Sequence, residues 1–240
     1  MNLDWLCPRA QELVLERGSP VEIDGVEKKA LGTGIIAIIG SARSGKTTLA
    51  LEIMKDSNRP LCFVGLPDLY LQALPDEMRS RSSNPEINEL VSVRDSIVLL
   101  DDTAVQLNSR DYQKGMNKVI GRLAGIISHF GITLIMTVQS TSQVDVSLFR
   151  ATEMSILFKR MDPVAMRFER DSMSDEAEYA QMRLREFGTP PSLYYCMYSD
   201  SIWRSPKPFS LGWGERRKDI LSRPWRYADE SYIKKQVVER

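Results

Sequence analysis

The chain has 240 residues, of which 42% are hydrophobic, 27% are charged and 8% are aromatic, and its 32 Lys and Arg balance its 32 Asp and Glu. This length allows one substantial core with or without an appendage, and the apolar content excludes a wholly disordered chain. The zero net charge excludes a generally basic nucleic-acid binder, although an average leaves room for a local basic strip.

Cysteine and histidine usage narrows the chemistry further. Cys7, Cys62 and Cys196 are odd in number and widely spaced, which predicts reduced thiols in the cytoplasm rather than a disulfide framework or a zinc site. The N-terminal residues lack the pattern of a signal peptide, and the apolar runs are far shorter than a membrane span, so we predict a protein that is not itself transmembrane. His129 is the single histidine, which excludes a mechanism built on several histidines.

The predicted elements begin with a short amphipathic helix over residues 3–16 and a hairpin over Val21–Lys28 around Asp24-Gly25. Short apolar runs then alternate with helical segments. In chain order they are strand Gly34–Ile39, helix Lys46–Asp56, strand Leu61–Val64, a loop-rich stretch, strand Ile97–Leu100, a helix from Ser109 to about Phe130, strand Ile132–Val138, strand Ser155–Phe158, helix Asp175–Glu186 and strand Leu193–Tyr198. This alternation predicts an α/β fold with a central, mostly parallel sheet covered on both faces.

A glycine-rich loop carries the strongest motif of the sequence. Gly40, Ser41, Ala42, Arg43, Ser44, Gly45, Lys46 and Thr47 fit G-x-x-x-x-G-K-[ST] at every position, between a predicted strand and a predicted helix. Glycines let the backbone wrap closely around phosphates, and the helix adds its positive N-terminal end. We therefore predict that this Walker A loop, with the following Thr48, binds ATP. Lys46 is expected to reach the outer phosphates and the Thr47 hydroxyl to bind Mg²⁺.

Two carboxylates follow the third predicted strand of the sheet. Asp101 and Asp102 end the apolar run Ile97–Leu100 in the manner of a Walker B motif. In a parallel sheet ligands bind beyond the carboxyl ends of the strands, the edge that also carries the phosphate loop. We predict Asp101 near Mg²⁺, and Asp102 as the group that orients or deprotonates the attacking water. The alternative is a solvated acidic pair that opens a loop.

A neutral amide ends the fourth strand. Gln139 follows Ile132–Val138, where it could hydrogen-bond a γ-phosphate or a water and sense hydrolysis. The alternative is an ordinary polar residue at a strand end.

Together these motifs resemble the additional-strand P-loop ATPases, and more narrowly the FtsK–HerA superfamily of DNA-pumping motors. The resemblance rests on the loop Gly40–Thr47, on Leu99–Asp102, on Ile132–Gln139 with the following residues to Arg150, and on the strand Ile156–Lys159, and it covers roughly residues 30–160. The single compact domain is similar to the genome-packaging ATPases of membrane-containing icosahedral viruses. Phage-assembly ATPases of the zonula-occludens-toxin type are also similar.

The resemblance implies a RecA-like sheet in which the Gln139 strand lies between the strands of the phosphate loop and of Asp101. It also implies a hexameric ring with ATP and Mg²⁺ between subunits and double-stranded DNA, bound non-specifically, in the central channel. The corresponding domains are an N-terminal helix and hairpin element over 1–30, a P-loop ATPase domain over 31–200 and a C-terminal extension over 201–240.

Two departures from the family concern catalysis. The family usually has Glu after the metal-binding Asp, whereas here the shorter Asp102 stands there. Many relatives carry an Arg just before the fourth strand, a place occupied here by Ser128-His129. The arginine acting in trans must then come from elsewhere, with Arg110 the first candidate and Arg150 the second. The alternative for either one is a surface charge.

The last forty residues differ in charge from the rest. The segment from Ile202 to Arg240 contains ten basic and five acidic residues, so its net charge is +5 and that of the remaining chain is −5. Three of the four tryptophans also lie in this segment. Basic residues interleaved with aromatics suit phosphate contact with base stacking, and they suit a subunit interface equally well.

The function that these features favour is an ATP-hydrolysing DNA translocase that packages viral double-stranded DNA into a preformed capsid. The alternative is an ATP-dependent assembly, morphogenesis or secretion ATPase that acts on protein, for which a capsid or membrane vertex protein is a candidate partner. A small-molecule P-loop kinase is a third class, although no second-substrate site is evident. Association with the virion is a further expectation.

Overall fold

The computed structural model describes residues 3–23, 25–64, 71, 74–101, 127–141, 153–167, 169 and 171–206. Its first elements are helix α1 (Pro8–Val14) and an antiparallel hairpin of β1 (Pro20–Ile23) and β2 (Val26–Lys29). The predicted hairpin is confirmed. The predicted helix is shorter than 3–16 because it starts at Pro8, which lacks the backbone N–H that a helix interior requires.

The central elements follow in chain order. They are β3 (Gly34–Ile39), α2 (Lys46–Asp56), β4 (Leu61–Val64), α3 (Asp76–Arg79), β5 (Ser82–Ser83), a 3₁₀ helix (Ile87–Ser92), β6 (Ile97–Leu100), α4 (Ile127–Phe130) and β7 (Thr133–Val138). The last group comprises β8 (Met154–Phe158), α5 (Pro163–Met166), α6 (Asp171–Glu186), β9 (Leu193–Cys196) and β10 (Ser201–Arg204).

Within the described residues eight strands form one sheet, in the order β10-β9-β8-β3-β7-β6-β4-β5. The pairs from β8 to β5 are parallel, while β9 and β10 are antiparallel additions at one side. The mostly parallel sheet is confirmed. So is the position of β7, the strand before Gln139, between β3 and β6.

The strands are apolar without alternation because helices cover both faces of the sheet. All residues of β3, β4, β6 and β7 are buried. Ile36 and Ile38 point into a core shared with α1 and α2, and Ile35 and Ile39 point into a second core shared with α6. The two cores hold β3 at the centre of the molecule, and therefore fix the start of the loop that follows it.

Several predicted boundaries differ from the observed ones. Strand β7 begins at Thr133 rather than Ile132, and β8 begins at Met154 rather than Ser155. Helix α6 begins at Asp171 rather than Asp175, and β9 ends at Cys196 rather than Tyr198 because residues 197–200 form a turn, with Asp200 at a φ of 44°. That turn leads into β10, so the first residues of the predicted C-terminal extension pair with β9 in the sheet. Of the predicted helix from Ser109, the structure describes Ile127–Phe130, and Gly131 ends it at a φ of 65°.

None of the helices in the described part of the chain is both long enough and apolar enough to span a bilayer.

Candidate functional site

The glycine-rich loop joins β3 to α2 and needs glycine at both ends. Gly45 has a φ of 90°, a left-handed conformation that glycine adopts without steric cost. A Cβ on Gly40 would lie 2.7 Å from both the Ser44 Oγ and the Lys159 Cβ, closer than real contacts allow. The motif predicted that these two glycines shape the phosphate loop, and the structure gives the steric reason why each position needs glycine.

Neighbouring strand ends brace this loop. The Gly40 N–H donates to the carbonyl of Val138, at the end of β7, over 3.1 Å. The Ser41 N–H donates to the carbonyl of Arg160 over 3.0 Å, and the Asp162 N–H donates to the Ser41 Oγ over 2.5 Å. The loop is thus held by the last residue of β7 and by residues that follow β8, and not by β3 and α2 alone.

Hydrogen-bond donors gather at the loop. The Lys46 Nζ donates to the carbonyls of Gly40, at 2.7 Å, and Ser41, at 3.1 Å, so its ammonium lies across the start of the loop. Helix α2 begins at Lys46 without a side-chain cap on Gly45, and its first N–H groups suit an anion. The buried Ser44 Oγ has no hydrogen-bond partner among the described residues. These donors fit a polyphosphate.

Asp101 lies beside the loop at the carboxyl end of β6, with only 4% of its surface exposed. Its Oδ1 accepts hydrogen bonds from the Thr47 Oγ1 at 2.9 Å and from the Thr137 Oγ1 at 2.5 Å. A carboxylate next to a hydroxyl is the kind of oxygen-donor pair that Mg²⁺ prefers. The residues present therefore fit a Mg²⁺ ion, which Thr47 and Asp101 would hold.

Thr137 is a site residue that the motifs missed. It precedes the end of an apolar strand, and its side chain reads from the sequence as one more β-branched strand residue. Strand pairing gives it a role: Leu100 is in register with Met136, so the next residues, Asp101 and Thr137, come side by side. The resemblance implied that β6 and β7 are neighbours, but the register that sets Thr137 beside Asp101 came from the structure.

The residues after β7 continue along the same edge of the sheet. Gln139 is half-buried and follows the strand that separates β3 from β6, so it comes between the loop and Asp101 in strand order. Two residues later, the Thr141 N–H and Oγ1 both donate to Glu169 Oε2, at 2.9 and 2.5 Å. Glu169, which lies between α5 and α6, was not indicated by any motif.

Other predicted residues lie outside the described part of the chain: Asp102, Arg110, Arg150 and the extension from Lys207 to Arg240. Thr48 is half-buried in the first turn of α2. The site as described thus brings together the loop Gly40–Thr47, Asp101, Thr137 and Gln139.

Comparisons with known proteins place the fold. No protein-family model matches the sequence, and no curated protein matches it. The structure is similar to the cytoplasmic domain of the Type VII secretion ATPase EccC from Thermomonospora curvata, with a TM-score of 0.50 and 12% identity over 82% of this chain and 28% of that one. The chain is thus an α/β protein of the P-loop NTPase fold.

Two further solved structures are similar at slightly lower scores. B204, the DNA-packaging ATPase from Sulfolobus Turreted Icosahedral Virus, matches with a TM-score of 0.49 and 15% identity over 72% of this chain and 98% of that one. EssC (ATPases 2 and 3) from Geobacillus thermodenitrificans matches with a TM-score of 0.49 and 14% identity over 86% of this chain and 46% of that one.

Proposed function

We propose that this chain is an ATPase, converting ATP and water to ADP and phosphate, and that hydrolysis drives the movement of double-stranded DNA. The observation that carries the ATPase proposal is the convergence of Lys46, Thr47 and Asp101 at one edge of the sheet. This set of groups is suited to phosphoryl transfer. It consists of a phosphate-binding loop, a lysine that lies across the loop, and a buried carboxylate that accepts a hydrogen bond from the loop threonine.

Each residue has a role in this proposal. The loop N–H groups and Lys46 bind the phosphates, and the Thr137 hydroxyl keeps the Asp101 carboxylate turned toward Thr47. Mg²⁺ held by Thr47 and Asp101 would neutralise charge on the phosphoryl group being transferred. Gln139 contacts the γ-phosphate or the water. For Asp102 we keep the role of orienting or deprotonating that water, and for Arg110 or Arg150 the role of an arginine finger donated to a neighbouring subunit.

The proposal of a DNA substrate rests on the motifs that resemble the FtsK–HerA motors and on the basic, tryptophan-rich segment over residues 202–240. A motor of this kind grips the backbone without reading sequence, so a few cationic contacts per subunit, repeated around a hexameric ring, are sufficient. In the packaging role the protein would act in the host cytoplasm and at the virion. The fold it shares with a secretion ATPase keeps protein transport, with a capsid or membrane vertex protein as partner, as the alternative.

The ATPase proposal is tested with two variants and a control. Lys46→Ala should abolish ATP turnover, and Asp101→Asn should lose the Mg²⁺-dependent activity while the chain remains folded, as judged by circular dichroism. Lys55→Ala, at the far end of α2, should turn over ATP like the wild type. Near-normal turnover by either site variant would disprove the role given to that residue.

The substrate is tested by measuring turnover with and without long double-stranded DNA, together with imaging of the protein with a non-hydrolysable ATP analogue and DNA. We expect stimulation and a ring with DNA in its channel. No stimulation, with no oligomer under any nucleotide condition, would reject the DNA motor. Binding of a capsid or membrane protein without any affinity for DNA would support the alternative.

A further inference from the structure

Lys159 runs behind the phosphate loop. It directly follows β8, only 1% of its surface is exposed, and its N–H donates to the carbonyl of Ile39, the last residue before the loop, over 2.7 Å. Its Cβ lies against Gly40, where an added Cβ would be 2.7 Å away, and its Cε would be 3.6 Å from a Cβ on Gly45. The side chain therefore spans the loop from one essential glycine to the other.

The ammonium end of Lys159 is sparsely solvated. Its Nζ donates to the carbonyl of Pro191 over 2.5 Å, and that same carbonyl oxygen would lie 3.1 Å from a Cβ on Gly45. Burial lowers the pKa of Lys159 from its usual 10.5 to about 7, since the charged form loses water without a compensating anion. At neutral pH the amine is thus divided between its charged and neutral forms.

The charged groups on the surrounding elements do not shift the pKa of Lys159. Helix α6 presents the neutral Gln181, whose Nε2 donates to the Lys159 carbonyl over 3.1 Å. Burial alone accounts for the lowered pKa of Lys159. The titratable and charged groups on the elements around it are Arg43 and Lys46 in the loop, Arg160 and Asp162 after β8, Asp171, Asp175, Glu176, Glu178, Tyr179, Arg183, Arg185 and Glu186 on α6, and Tyr194, Tyr195 and Cys196 on β9.

We propose that Lys159 is a second positive charge of the nucleotide site, which acts through the backbone of the phosphate loop and takes up a proton when nucleotide binds. The inference rests on the proposed nucleotide binding. A polyphosphate on the open side of the loop brings negative charge close to the buried amine, which favours its protonated form. The proton comes from the buffer to the amine lone pair, and it returns to the buffer when the nucleotide leaves. By linkage, the protonated protein binds nucleotide more tightly. Lys159 is therefore a positioning residue that also adds charge.

The proton uptake is measurable by titration calorimetry with the ATP analogue AMPPCP and Mg²⁺ in two buffers of different ionisation enthalpy. If bound nucleotide raises the Lys159 pKa above about 9, binding at pH 8 should take up about 0.8 proton. The dissociation constant should be nearly flat below pH 7. Above pH 7 it should rise by up to about tenfold per pH unit, because the neutral amine must first be protonated.

Two variants separate the charge from the packing. Lys159→Arg keeps a permanent charge, so its affinity should not depend on pH above 7 and it should take up no proton. Lys159→Met keeps an unbranched chain of similar size without charge; we expect at least about tenfold weaker binding at pH 7 and no proton uptake. Lys55→Met should bind and take up protons like the wild type.

The outcomes distinguish this inference from the proposed function. Nucleotide binding by the wild type with no proton uptake and no pH dependence would overturn the role of Lys159 and leave the ATPase intact. A folded wild-type protein that binds no nucleotide at any pH would overturn both. If a Lys159 variant does not fold, the proton uptake of the wild type still decides the question.

Discussion

Asp101 is positioned by two hydroxyl groups from different parts of the chain. The Thr47 Oγ1 reaches it from the phosphate loop and the Thr137 Oγ1 from the neighbouring strand. Groups that orient a metal-binding carboxylate commonly change metal affinity or activity by 10- to 100-fold when they are lost. Thr137 is therefore expected to matter for activity through its hydrogen bond to Asp101.

We predict that Thr137→Val lowers the kcat of the proposed ATPase by roughly tenfold and raises the Mg²⁺ concentration needed for half-saturation by a similar factor. Valine keeps the shape of threonine and removes the hydroxyl that donates to Asp101. Steady-state ATPase measurements over a Mg²⁺ titration test this. Thr33→Val is the matched control, because the buried Thr33 Oγ1 has no hydrogen-bond partner among the described residues. Equal kinetics for the two variants would contradict the prediction.

At the scale of elements, the site is built from the carboxyl ends of four neighbouring parallel strands. Strand β3 leads into the phosphate loop, β6 ends at Asp101, β7 leads to Gln139, and β8 leads to Lys159. Parallel strands end at one edge of a sheet, so residues far apart in sequence meet there. The arrangement of strands, rather than any local turn, therefore assembles the site.

The residues after β7 are tied to the region between α5 and α6 through Glu169. Its Oε2 accepts two hydrogen bonds from Thr141, two residues beyond Gln139. We predict that Glu169→Ala lowers the free energy of unfolding by about 1–3 kcal/mol, because the Thr141 N–H and hydroxyl lose their shared acceptor. Glu169→Gln should lower the free energy of unfolding by less, because the amide oxygen of glutamine can still accept hydrogen bonds from Thr141.

Urea unfolding followed by circular dichroism measures this difference, and Glu27→Ala on the exposed strand β2 serves as the control for loss of a carboxylate. If Glu169→Ala and Glu27→Ala are equally stable, Glu169 does not anchor this segment. A lower kcat for Glu169→Ala at unchanged nucleotide affinity would further indicate that the anchor positions Gln139.

At the scale of the whole molecule, the proposed ring makes the active site a shared one. An arginine finger from the next subunit neutralises charge on the transferring phosphoryl group and can raise kcat by about 10³- to 10⁵-fold. Arg110 remains the first candidate for that role. Mixing subunits that carry Arg110→Ala with subunits that carry Asp101→Asn should restore part of the turnover, because some interfaces then combine an intact Asp101 with an intact Arg110.

ATPase rates across mixing ratios measure this complementation, with each variant alone as the baseline. No recovery at any ratio would contradict a role for Arg110 in trans. The same experiment with Arg150→Ala in place of Arg110→Ala tests the second candidate, and recovery with one arginine variant but not the other identifies the finger.

Much of the fold could be predicted because local patterns were strong. The strands Gly34–Ile39, Leu61–Val64 and Ile97–Leu100 and the helix Lys46–Asp56 are observed with the predicted bounds, since continuous apolar runs and the loop motif delimit them. The strands β5 and β10 were not predicted. Ser82–Ser83 is short and polar, and Ser201–Arg204 lies in a stretch of weak periodicity, so only pairing with a neighbour makes either one a strand.

The sequence by itself determined the phosphate loop and the strand that ends at Asp101, because glycine, lysine and carboxylate at those spacings follow from the chemistry of phosphate and Mg²⁺ binding. The zero net charge of the chain is a balance between +5 over residues 202–240 and −5 over the remaining residues. Only the tertiary structure decided that Thr137 supports Asp101, that Glu169 anchors Thr141 and that Lys159 lies behind the loop. These roles depend on strand order and register, which long-range packing fixes and no local pattern encodes.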